Sequence, residues 1–221
     1  MGKIDKGILG GFSGKVGNVI GSTWKGISYM KSKPASNNKK ASEKQIIHRA
    51  RFMYAAKFLQ RLQPVIEVGY RMHDRCKTAR NEAMSEFLNY TLTGDYPMFK
   101  VNYNRLRLAK GSLELPADYS VALVDNRALI KWSVDSNSED DQSEDKLLAQ
   151  LLENNVLLVS IADGCEPKYT MRKFKRKDGS GDIGLPNAPS GTEVHCYLAF
   201  IANDDSMRVS NSIYVGSVIA P

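Results

Sequence analysis

Ser120-Val121-Ala122-Leu123-Val124-Asp125-Asn126-Arg127-Ala128-Leu129-Ile130-Lys131-Trp132 is two apolar runs folded about a turn. Val124-Asp125-Asn126 is the turn signal between them. The runs on either side have the length and the Val, Ile and aromatic content of strands. The same texture recurs downstream at Val156 to Ile161, Tyr169 to Phe174, Glu193 to Ala202 and Val209 to Val218. Turn signals separate these runs at Asp178-Gly179-Ser180-Gly181, Pro189-Ser190-Gly191 and Asn203-Asp204-Asp205. Short strands at this spacing predict a β-sandwich, and residues 98–221 form that expected domain. Its leading edge is the alternation Phe99-Val101-Tyr103, continued by Leu106 and Leu108.

Between the strands lies an acidic stretch, Asp135 to Asp145, followed by a short predicted helix over 145–154. The stretch lacks calcium-loop spacing, so it reads as a solvated loop and an acidic counterpart to a basic N-terminal end. His195 and Cys196 are adjacent on a predicted strand, face opposite ways, and cannot share a site.

Upstream, the period changes from two to that of a helix. Ser42-x-x-Gln45 is a capping box opening a helix whose apolar stripe is Ile46, Ile47, Ala50, Met53, Phe58, Leu59 and Leu62. Pro64 ends it and starts a second helical stretch, Val65 to about Tyr90, with Val65, Val68, Met72, Cys76, Ala79, Ala83, Phe87 and Leu88 as its buried face. The expectation is a basic linker and helical pair over residues 34–97. Residues 1–33 are then a separate arm. Eight of the chain's 17 glycines fall in its first 26 residues. Gly14-Lys15 is not a phosphate loop, because Leu9 stands where the leading Gly is needed and Val16 where Ser or Thr is needed. Val16, Val19, Ile20 and Thr23, then Ile27, Tyr29 and Met30, predict two strands about Lys25-Gly26. Gly17 and Gly21 would then leave one face of the first strand bare, open to a ring, a backbone or a ligand.

Charge is unevenly placed. Residues 1–80 hold 17 Lys and Arg against 4 Asp and Glu, a net of +13, while residues 111–221 hold 10 against 17, a net of −7. A chain so divided favours an anionic partner at its basic end. No apolar run of about 18 residues occurs, so no membrane partner is expected. Three scattered cysteines, Cys76, Cys165 and Cys196, fit a reducing cytosol. His48 and His73 lack companions at metal-ligand spacing. No nucleophile, acid–base pair or metal cluster assembles from the sequence, so the expectation is a protein that is not an enzyme and takes no cofactor.

Trp132 on an early strand, Tyr197-Leu198-Ala199-Phe200 on a late one, and Asn203 to Ser206 with Val209 to Ser212 as a last hairpin resemble a fibronectin type III or immunoglobulin-like module over residues 117–221. The 135–154 insertion is longer than such modules usually carry there. Gly7-Ile8-Leu9-Gly10-Gly11-Phe12-Ser13-Gly14-Lys15-Val16-Gly17, Trp24-Lys25-Gly26, Gln45 with Arg49, Tyr96-Pro97, Gly111-Ser112-Leu113 and Tyr214-Val215-Gly216 together resemble an uncharacterised bacterial domain-of-unknown-function family. That family implies no activity. The order of glycine-rich hairpin, basic segment and helix is also similar to small phage and prophage structural proteins.

The functional expectation is a structural or assembly protein, a phage or prophage virion component that self-associates through its arm. Its partners would be copies of itself or other structural proteins, and its place the bacterial cytoplasm or the virion. Phe12, Trp24, Ile27 and Tyr29 are the expected association residues, since a hairpin alone needs cover. The rival is sequence-independent nucleic-acid binding through Lys31, Lys33, Lys39, Lys40, Arg49 and Arg51.

Overall fold

The computed structural model describes residues 3–4, 12–24, 26–35, 40–72, 77–134, 153–204, 206 and 208–221. Two compact units divide the chain, Met1–Glu43 and Lys44–Pro221. The first is an antiparallel sheet with β1 (Lys3–Ile4), β2 (Phe12–Val16), β3 (Val19–Trp24) and β4 (Ile27–Ser32) side by side in that order. The expected strand pair about Lys25-Gly26 is β3 and β4. Gly17, however, is not on a strand face with Gly21. It turns the chain from β2 to β3 with φ 57°, and β2 pairs through Gly14 with Gly21.

The second unit is mixed α+β. Its helices are α1 (Glu43–Arg61), α2 (Gln63–Gly69) and α3 (Ala79–Glu86), with a π turn at Phe87–Thr91. Pro64 sits in the first turn of α2, where its missing N–H costs nothing. The second helical stretch is therefore broken rather than continuous. Gly69, the last residue of α2, lets the Leu108 carbonyl oxygen approach, since a Cβ there would come within 2.1 Å of it. Thr78 starts α3 by accepting the Asn81 amide at 3.2 Å. Cys76 and His73 lie outside the described residues.

After a two-strand ribbon of β5 (Leu92–Thr93) and β6 (Lys100–Val101), the strands are β7 (Tyr119–Val124), β8 (Arg127–Trp132), β9 (Asn155–Ala162), β10 (Lys168–Lys175), β11 (Ser180–Gly184), β12 (Glu193–Ile201) and β13 (Ile213–Ile219). Asp125 and Asn126 turn β7 into β8 with φ of 48° and 60°, the primed turn that matches strand twist. One sheet runs β10-β9-β12-β13 and a second runs β11-β8-β7. Alternation along β9 and β12 then sorts the interior. Leu157, Val159, Ile161, Tyr197, Ala199 and Ile201 meet the helices, packing with Phe58, Leu59, Leu62, Ile66 and Phe87. Val156, Leu158, Cys196, Leu198 and Phe200 meet Ile130, Trp132 and Ile183 of the other sheet. Both faces of this sheet are covered, which is why β9 is buried along its whole length and reads as an almost unbroken apolar run.

Three expectations need correction. The alternation of Phe99 to Leu108 is real, but only Lys100–Val101 enters a ladder, and Tyr103–Arg105 is a 3-10 turn. Leu106 and Leu108 insert into the helical cluster from extended chain, anchored where the Leu108 amide donates to Ser212 Oγ at 2.8 Å. Ser180-Gly181 is not only turn: it opens β11, where Gly181 is needed because a Cβ would meet Phe174 and Leu158 at 2.9 and 3.0 Å. Finally, Ile46 and Met53 are exposed, because α1 buries only Ala55, Phe58 and Leu59 within it. The acidic 135–145 stretch and most of the predicted 145–154 helix lie outside the described residues.

Candidate interaction surfaces

The N-terminal sheet presents two faces whose membership follows from register. Trp24 opposes Ile27, Ser22 opposes Tyr29, and Ile20 lies between Lys15 and Lys31. Directly opposed residues share a face, so Trp24, Ile27, Tyr29 and Ile20 form one apolar patch flanked by two lysines. Trp24 is 45% exposed, Ile27 60% and Tyr29 44%. Phe12 does not join them. It lies on the opposite face, half-buried over Gly21, where a Cβ would come within 2.8 Å of its ring. The bare glycine is thus covered by a ring from its own sheet, and Phe12 lies on the other face from Trp24, Ile27 and Tyr29.

The expected anion-contact residues are shared between the two units. Lys31 sits on the apolar sheet face, and Lys33 and Lys40 follow it, all exposed, while Lys39 lies outside the described residues. Arg49 and Arg51 belong to α1 in the other unit. Arg51 is half-buried and donates from Nη2 to the Leu88 carbonyl at 3.2 Å, a contact that ties α1 to the π turn. A second basic run, absent from the sequence reading as a feature, occupies β10 and the turn after it. Its charge is largely answered: Glu153 pairs with Lys175 and Lys177, which hold its carboxyl down to about 2, and Asp182 pairs with Arg127 and Lys173. Arg176 is buried, its guanidinium 4.7 Å from the Phe200 ring centroid and donating to the Glu114 carbonyl.

Arg49 instead lines a groove of 490 Å³ with Ile46, Met53 and Lys57 on the helix side and Tyr96 and Phe99 opposite. Tyr54 closes its floor edge-on to Phe99, ring centroids 5.9 Å apart. The groove is hidden in the sequence because the apolar period groups Ile46 and Met53 with the core residues of α1. Their signal was available: Arg49, Met53 and Lys57 recur every four residues on one helical face.

Two polar clusters lie elsewhere in the second unit. Lys110 bridges Glu82 and Glu86 at 2.8 and 3.2 Å, and Tyr70 donates its hydroxyl to Glu86, fixing α3 to the 107–110 segment. His195 stacks on Tyr103 with centroids 3.9 Å apart, and its Nδ1 lies 3.1 Å from the Tyr214 hydroxyl. Tyr197 donates to the Tyr103 carbonyl at 2.8 Å. Cys196 points into the other cluster, as alternation requires, and burial pushes its thiol up to about 12. Among the described residues no group of three or more His, Cys, Asp or Glu is placed to hold a metal. No described helix is long and apolar enough to cross a membrane.

Burial lowers the His195 pKa below its ordinary value, with Glu193 and Asp163 pulling the other way. The unfolded chain therefore takes up this proton more readily than the folded one. Stability attributable to His195 is complete above the unfolded value of about 6.5 and is lost as pH falls below it. Urea unfolding between pH 7 and 5 is expected to show that decline, and His195→Gln to flatten it. An unchanged slope in the variant would show that the histidine does not contribute.

Residues 11–216 match the model described as a family of unknown function (DUF6266), and the chain belongs to that family. No curated protein and no solved structure matches the chain.

Proposed function

We propose that the chain is a non-enzymatic structural subunit that assembles with copies of itself through the Trp24–Ile27–Tyr29 face of its N-terminal sheet. The observation that carries this reading is a sheet without an interior. Among residues 12–24, 26–35 and 40–43 of the first unit Gly21 is the sole buried residue, while Trp24, Ile27, Tyr29 and Met30 are exposed. A sheet is stable when one apolar face is covered, and a second copy offers the cover. Lys15 and Lys31 flank the patch, so two like faces repel when set against each other. The net of −7 over residues 111–221 favours a head-to-tail contact instead, weakened by salt.

The second unit supplies a rigid body for such a subunit, and we read its paired sheets as a fibronectin type III-like module. What supports this is the strand order. The first, second and fifth strands of the pair form β11-β8-β7, and the rest form β10-β9-β12-β13, as in those modules. Trp132 is buried on the second strand, with Nε1 donating to the Arg176 carbonyl at 2.7 Å. The order of glycine-rich sheet, basic segment and helices suggests a phage or prophage particle as the setting. Sequence-independent nucleic-acid binding by the basic third has less support, since Arg51 is spent on Leu88.

Light scattering tests the reading. At tens of micromolar and low salt the full chain is expected to have a mass of several subunits, falling as salt is added. Trp24→Ser/Ile27→Ser is expected to be monomeric with an unchanged circular dichroism spectrum. A wild-type chain that is monomeric under these conditions overturns the proposal, and salt-dependent binding of duplex DNA by that monomer would point to the rival.

A further inference from the structure

We infer that a second contact between copies runs through the groove beside α1, and that its occupant is the stretch of residues 139–152 from a second copy. This rests on the assembly reading for the neighbouring copy, but on a different surface. The groove has an apolar floor and wall in Ile46, Met53, Tyr96 and Phe99, and its lining includes Arg49 and Lys57 but no Asp or Glu. Ile46 and Met53 are about half exposed, and so is Tyr96 across the groove from them. Contiguous apolar surface rimmed by charge marks an interaction site more than scattered exposed residues do. Among the described residues Arg49 and Lys57 form no ion pair, so their charges are available to a ligand.

The occupant must therefore be apolar on one side and acidic near it. The N-terminal sheet of a neighbour fails this test, because its apolar patch carries Lys15 and Lys31. Residues 139–152 pass it. Glu139, Asp140, Asp141, Glu144 and Asp145 precede Leu147, Leu148, Leu151 and Leu152, with Lys146 the one cation among them. The leucines are spaced by one, three and four, the pattern that shares a helical face. Leucines in an apolar groove with acids beside Arg49 and Lys57 is the chemistry by which amphipathic segments are recognised.

The probe is a fluorescein-labelled synthetic peptide of residues 139–152, titrated with full-length protein at low salt and followed by anisotropy. Saturable binding is expected, weakened by roughly tenfold or more in Arg49→Glu/Lys57→Glu. A peptide with its five acids replaced by lysine is expected to bind that variant better than it binds wild type, a reversal that a misfolded variant does not give. A peptide with its four leucines replaced by serine is expected to bind at least tenfold less well to wild type. Absence of saturable binding, which includes a groove already filled by its own chain, overturns the proposal. So does equal affinity for the charge variant, or failure of the reversed peptide to recover binding. Trp24→Ser/Ile27→Ser is titrated alongside, so that loss of sheet-driven assembly and loss of peptide binding are read separately.

Discussion

Phe200→Ala is expected to lower the unfolding free energy of the second unit by about 3–5 kcal/mol. Phe200 is fully buried in the cluster between the two sheets. Its ring takes the edge of Trp132 at 6.3 Å and faces the guanidinium of Arg176, so truncation opens a cavity and strips a buried cation of its aromatic surface. The backbone is pinned at the same point, where the Phe200 amide donates to Ser210 Oγ at 2.8 Å, which limits collapse into the void. Tyr169→Ala is the contrast. Tyr169 is on β10 of the same sheet but 42% exposed, and its loss is expected to stay within about 0.5 kcal/mol. Urea unfolding of both variants separates them. Similar midpoints would mean that the inter-sheet cluster is not the stabilising core.

How the sequence foretold this core depends on which residues carry the signal. The strands around Asp125-Asn126 were legible because a turn signal and two apolar runs agree. The apolar run of β9 was legible as a strand, but its two-sided burial was not, since that follows from helices and a second sheet that meet it from afar in the chain. β11 was hidden by Gly179 and Gly181, which look alike in sequence but do different things. Gly179 turns with φ 63°, whereas Gly181 makes room for Phe174 and Leu158. The helical stripe of α1 was correct at Phe58, Leu59 and Leu62 and wrong at Ile46 and Met53, because periodicity says which face is apolar but not how far along the helix a neighbour covers it. Arg51 shows the same limit for charge. Nothing in its local sequence tells that its guanidinium reaches the carbonyl of Leu88, 37 residues away.

Gly21→Val is expected to abolish assembly while leaving the urea midpoint of the second unit at its wild-type value. A Cβ at Gly21 would fall 2.1 Å from the carbonyl oxygen of Phe12 and 2.7 Å from its ring. Backbone cannot yield as a side-chain tip can, so β2 must part from β3 and the ladder of Gly14 with Gly21 and Lys15 with Ile20 is lost. Lys15 then no longer stands beside the apolar patch, and an exposed two-strand remnant is only marginally stable. The second unit forms its clusters from residues 55 onward and is indifferent to this loss. Phe12→Ala in the Gly21→Val background is expected not to restore assembly, because the closest clash is with the carbonyl and not the ring. Gly17→Ala is the milder control: no atom lies within 4 Å of its Cβ position, and only its left-handed φ opposes the change, at about 1–2 kcal/mol. Light scattering on the three variants, with circular dichroism for the sheet, gives the ordering. If Gly21→Val assembles as wild type does, the N-terminal sheet is not the assembling surface, and the charge asymmetry of the chain must act through the groove beside α1 alone.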